Sequence, residues 1–158
     1  MVAAGENPAT VGQMASAPQP VLLFDAECAL CRRSVQWLIR RDPRGRLRYL
    51  PLGSAVAAEL CVSRGLPAQG PDSLVFIPDW SDRLAGPLHL RSSGALRAAA
   101  ALGGWWRTAH LLRLVPRTWR DAVYARVAAR RRQGGAAAAE VPFSPSEQAR
   151  LIGGPGGL

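Results

Sequence analysis

Lysine is absent: the 20 basic residues of this 158-residue chain are all arginine. With 16 glycines and 13 prolines, this is a bias of the whole chain, so the formal charge of +9 is a weak guide to partners. No apolar run approaches the roughly 18 residues of a membrane span. Residues 1–20, "MVAAGENPATVGQMASAPQP", lack the basic start and continuous apolar centre of a secretory signal and read as a disordered leader. Together these absences place the chain in the cytoplasm, as an expectation. Histidine occurs twice and cysteine three times, and beyond the close pair of cysteines none of them stands in a second paired ligand spacing. Nor do aromatics interleave with the arginines as in a nucleic-acid recognition module, so no specific nucleic acid is expected.

What is present suits one domain: 48% hydrophobic residues and enough length to bury a core. Val21 to Phe24 reads as a buried strand. Cys31, Val35, Leu38 and Ile39 then share a helical face, and "DPRG" at 42–45 is a turn. "RLRYL" at 46–50 alternates as a strand. Ser54 caps a helix whose Val56, Ala57, Leu60 and Cys61 share a face, and Gly65 stops it. "LVFI" at 74–77 is a buried strand, and "LHLR" at 88–91 an antiparallel partner. A helix from Ser92 or Ser93 ends at Gly103-Gly104, and two more follow at 105–114 and 116–132. Trp119, Val123 and Val127 form the expected buried stripe of the last, which closes on Arg130 to Arg132. Residues 134–158 read as a flexible tail, leaving 21–133 as the domain. The order β-α-β-α-β-β-α predicts an α/β, thioredoxin-like three-layer fold: a small mixed sheet with two extra C-terminal helices.

Three chemistries compete for "FDAECALC", residues 24–31. A phosphatase of the Asp-x-Asp type needs a cation on the phosphoryl oxygens, usually lysine, and further acids for magnesium. There is no lysine, and Asp79 and Asp82 flank Trp80 in a turn. A zinc site would need Cys61, His89 or His110, none in a paired spacing, so no metal and no cofactor is expected. The redox reading fits best. A Cys-x-x-Cys at the first turn of a helix meets unpaired N–H groups and the helix dipole, which stabilise a thiolate. Cys28, at the exposed tip, is then the nucleophile and Cys31, on the inward stripe, the resolving thiol. Asp25 is both a candidate acceptor of the Cys31 proton and a candidate helix cap through the Cys28 N–H. A non-catalytic alternative uses Trp105, Trp106 and Arg107, Arg113, Arg117, Arg120 and Arg126 on an anionic membrane surface or partner protein.

"LFDAECALCRRSVQWLIRRDPRGRLRYLPLGS", "PDSLVFI" and "RSSGALRAAAALGGWWRTAHLLRLVPRTWRDAVYARVAARRR" together resemble the DCC family of thiol-disulfide oxidoreductases, named for Asp-x-x-Cys-x-x-Cys. The resemblance spans about residues 21–132 and implies the thioredoxin-like fold, with Asp25, Cys28 and Cys31 as motif residues. A disulfide-containing protein or small molecule is the implied substrate, with an electron donor the sequence does not name. Two departures stand out. Ala26 replaces the family's usual glycine. Pro71 comes two positions too early for the proline that faces the disulfide in thioredoxins, so Asp72 or Ser73 is expected to face the cysteines.

Overall fold

A computed structural model describes residues 18–129 and 142–153. The expectations for residues 1–17, for Arg130 to Arg132 and for the rest of the tail lie outside the described residues. Four strands, β1 (Val21–Phe24), β2 (Arg48–Pro51), β3 (Val75–Ile77) and β4 (His89–Leu90), form one sheet in the order β2-β1-β3-β4. β1 and β2 are parallel, with Val21 opposite Arg48 and Phe24 opposite Pro51. β3 runs antiparallel to β1, and β4 antiparallel to β3. Helices α1 (Ala29–Arg41), α2 (Ala55–Ser63) and α3 (Arg91–Ala101) complete a thioredoxin-like α/β fold. A 3₁₀ segment (Gly104–Leu114), α4 (Arg117–Ala129) and a short α5 (Pro145–Gln148) follow.

All four residues of β1 are buried because the sheet is covered on both faces. Val21 and Leu23 point toward α2, with Leu50, Leu60, Cys61 and Val75. Leu22 and Phe24 point the other way, toward Val35 of α1 and Ala98 of α3, with Tyr49 and Phe76. Alternation along a four-residue strand thus supplies both cores. Ser54 caps α2 by accepting the Ala57 N–H at 3.3 Å. The face expected for α2 holds at Ala57, Leu60 and Cys61, but Val56 is turned to solvent.

At Gly94 α3 lies close against the sheet. A Cβ there would lie 2.6 Å from the His89 carbonyl oxygen and 2.7 Å from Leu74 Cδ1. In a free helix Gly→Ala gains about 1 kcal/mol, whereas forcing an atom into a filled site costs about 1–3 kcal/mol. The nearer neighbour, the His89 carbonyl, is backbone and cannot swing away, so the clash wins. Gly94→Ala is expected to lower stability by roughly 1–2 kcal/mol, read as a lower urea midpoint at unchanged slope.

Two expectations fail at the C-terminal side. The stripe of α4 is not buried: Trp119 is 73% and Val123 67% exposed, and no residue of α4 is buried. The Ser92 hydroxyl holds α4 to α3 through the Asp121 carboxylate, and beside that contact a groove opens between α4, α1 and α3, lined by the apolar stripe of α4. Residues 142–153, expected to belong to a flexible tail, are instead part of the fold. Phe143 is buried in the α1/α3 core, its ring edge-on to Phe24 with centroids 6.0 Å apart. Ser144 opens α5 with a reciprocal capping box to Glu147. Arg150 pairs with the buried Asp42 at 3.6 Å. Leu151 bridges Tyr49 on the outer side of β2.

Candidate functional site

β1 ends at Phe24, beneath the sheet's α1 face, and the chain reverses through Asp25, Ala26 and Glu27. Asp25 Oδ1 accepts the Glu27 N–H at 2.9 Å, which fixes the turn. Ala26 is not among the positive-φ residues, so its methyl group costs no backbone strain. Cys28 is the N-cap of α1, in extended conformation, and its Sγ accepts the Cys31 N–H at 3.3 Å. Its carbonyl accepts the Arg32 N–H at 3.0 Å, the first turn of the helix. The cap of α1 is therefore the motif cysteine itself, a role assigned to Asp25 as one alternative from the sequence. No disulfide joins Cys28 and Cys31 in this structure.

The order of exposure differs from expectation. Cys28, expected at the tip, is only 5% exposed, whereas Cys31 is half-buried. Cap geometry explains the difference: a side chain that accepts an N–H three residues on is folded back over the first turn. Cys31 lines a cavity of about 120 Å³ together with Asp25, Leu30, Leu74 and Tyr124. The carboxylate and the second thiol of the motif thus face one small space.

Asp72 and Ser73 do not line that cavity; Leu74 does. Ser73 is buried, with its hydroxyl donating to the Leu74 carbonyl at 3.2 Å. The Leu74 N–H donates to the Tyr124 hydroxyl at 3.1 Å, which ties α4 to the start of β3. Tyr124 went unrecognised in the sequence. Its position depends on how α4 crosses the sheet, and no local pattern carries that.

Arg32 connects the motif to the C-terminal segment. Its Nη1 donates to the Ala26 carbonyl at 3.2 Å, and its guanidinium lies 4.9 Å from the Phe143 ring centroid. Trp37 packs edge-on against Trp106 at 5.1 Å, with Arg41 over its ring, so it anchors the 3₁₀ segment to α1.

The zinc candidates are dispersed. Cys61 belongs to the opposite core and His89 stacks near Phe76 on β4, while the side chain of His110 lies outside the described residues. Burial pushes the Cys61 thiol up from its ordinary value, away from thiolate. Native protein treated with a small alkylating reagent at pH 8 is expected to label Cys31 well before Cys61, with Cys61 reacting only on unfolding. Peptide mass mapping over time checks this order.

No helix among the described residues is long and apolar enough to cross a membrane. The model of one family, DCC1-like thiol-disulfide oxidoreductase, matches residues 22–135. An uncharacterized protein of Bacillus subtilis (strain 168), YuxK, is 39% identical over 114 residues, covering 72% of this chain and 79% of that protein. No solved structure matches the chain significantly.

Proposed function

This chain belongs to the DCC1-like thiol-disulfide oxidoreductase family, and we propose that Cys28 and Cys31 are its dithiol/disulfide couple, with Asp25 accepting a proton from Cys31. The observation that carries this reading is the hydrogen bond from the Cys31 N–H to Cys28 Sγ at the start of α1. A sulfur that already accepts an N–H at a helix N-terminus is in a place where negative charge is favoured. In the proposed cycle Cys28 thiolate attacks a substrate disulfide and expels one thiolate. Cys31, its proton passed to Asp25, attacks the Cys28 sulfur, releases the second thiol and leaves the Cys28–Cys31 disulfide. Two electrons go to the substrate, and an external thiol or dithiol donor restores the pair.

The greater exposure of Cys31 favours a second reading, in which the roles are exchanged and Cys31 makes the first attack. Both readings use the same couple. The substrate is a disulfide of a protein or small molecule. A reducing cytoplasm suits a chain whose third cysteine, Cys61, is a buried thiol with no disulfide.

Titration of the protein against glutathione buffers of stepped ratio, with alkylation and mass measurement at each step, tests the couple. A single two-electron transition confined to Cys28 and Cys31 is expected, with a tenfold change in equilibrium constant for each roughly 30 mV. A pair that stays dithiol across the whole range would remove the redox assignment.

A further inference from the structure

Arg97, Arg113, Arg117 and Arg120 line one cavity of about 480 Å³, with His89 and Ser93 on its wall. Among the described residues the carboxylate ion pairs join Arg40 to Glu147 and Arg150 to Asp42, and none reaches this group. Arg120 is held by its Nε, which donates to the Val115 carbonyl at 3.0 Å, while its Nη1 is buried without a hydrogen-bond partner. A buried guanidinium nitrogen left unsatisfied costs free energy that an oxyanion would return. Burial, and then the positive charge of Arg113, holds Arg97 below its ordinary value, and burial followed by Arg97 and Arg113 does the same to His89. α3 opens at this place with no side-chain cap on its first turn.

Arg120 also lines the neighbouring groove of about 820 Å³, whose walls carry Trp37, Leu96, Leu112, Val115, Trp119 and Val123. That groove shares Leu22, Ser34, Leu38, Leu74, Tyr124 and Val127 with the cavity that holds Cys31 and Asp25. A cationic end, an apolar trough and a thiol therefore lie along one path.

We propose that the chain binds an amphiphile whose phosphoryl-type head sits among Arg97, Arg113, Arg117 and Arg120 and whose apolar body fills the groove toward Cys31. The cluster supplies charge for a multiply charged oxyanion, and the trough excludes one lacking an apolar chain from its full affinity. The size of the groove is that of a small-molecule site. The ligand is taken as a single molecule: its head is drawn into a cavity beside a buried, unsatisfied nitrogen, which a flat lipid surface would not reach. The inference rests on the redox reading only where it brings the apolar end to Cys31. Binding is read by calorimetry and by simple alkylation of Cys31, neither of which requires disulfide exchange, so either reading can fail alone.

The test is calorimetry on the full chain with dodecyl phosphate below its micelle-forming concentration, with dodecyl maltoside and inorganic phosphate as comparison probes. Saturable one-to-one binding of dodecyl phosphate is expected, competed by inorganic phosphate and about tenfold or more tighter than the maltoside. The double variant Arg113→Gln/Arg117→Gln, both positions solvent-exposed, is expected to lose about tenfold, and Val123→Asp a similar amount. Circular dichroism establishes that these variants fold. Saturation is also expected to slow alkylation of Cys31. Equal affinity for phosphate and maltoside heads, or unchanged binding in the arginine double variant, would overturn the proposal. So would binding confined to phosphatidic acid vesicles, which assigns the face to a membrane, or Cys31 labelling unaffected at saturation.

Discussion

Cys31→Ser is expected to turn the protein from a catalyst into a trap: incubated with a protein disulfide, it should accumulate a mixed disulfide through Cys28 that persists until a reductant is added. Serine at 31 keeps the backbone N–H that donates to Cys28 Sγ, so the hydrogen bond at the attacking sulfur survives the change. What is lost is the second displacement, because a hydroxyl is no nucleophile toward sulfur at neutral pH. Turnover should fall to the level of buffer while one equivalent of adduct appears by mass. Cys28→Ser is expected to lose turnover to the same extent with no adduct. The pair of variants also separates the two orders of attack. If Cys31 strikes first, the adduct appears in Cys28→Ser and not in Cys31→Ser. Turnover at the wild-type rate in both variants would remove the cysteines from the chemistry altogether.

Phe143→Ala carries the largest expected effect on stability. The ring is 9% exposed, meets Phe24 edge-on and lies beneath Arg32. Removing a buried phenyl costs about 3–5 kcal/mol, and the lower end applies because the C-terminal segment can partly collapse into the space. About 3 kcal/mol corresponds to roughly 6–12 °C in Tm for a chain of this size. Differential scanning calorimetry measures the shift. A change within about 0.5 kcal/mol, the range of ordinary surface positions, would mean that the segment does not contribute to the cooperative unit. Since Arg32 bridges Phe143 to the Ala26 carbonyl, the variant is also expected to quicken alkylation at the motif.

These two variants show which parts were legible from the amino-acid order. The motif was, because its meaning is local: an apolar run, an acid, two thiols three apart and an amphipathic helix all lie within Val21–Ile39. The succession of strands and helices along the chain followed from alternation and turn chemistry over similarly short distances. Which cysteine faces solvent was not legible, since it depends on the direction in which Cys28 Sγ turns at the cap. The stripe of Trp119, Val123 and Val127 has the period of a buried face, and period alone does not say whether a helix is pressed against the core or held off it. Phe143 was hidden by its neighbourhood: "GGAAAAE" lowers the apparent packing capacity of the segment, yet one aromatic ring and one capping box suffice to seat it. The arginine cavity gathers residues from α3, the 3₁₀ segment and α4, which no sequence window spans.

The bridge between Leu151 and Tyr49 reaches beyond the stability of one molecule. Tyr49 donates its N–H to the Arg150 carbonyl at 3.1 Å and accepts from the Ile152 N–H at 2.8 Å, on the side of β2 away from β1. Those are the groups through which an open strand recruits a strand from another chain. By occupying them from within, the C-terminal segment acts as a guard against self-association, and a chain cut before residue 142 would present a bare sheet margin beside an uncovered Phe24. The cost of losing that segment would then appear less as lost activity than as a concentration-dependent loss of soluble protein.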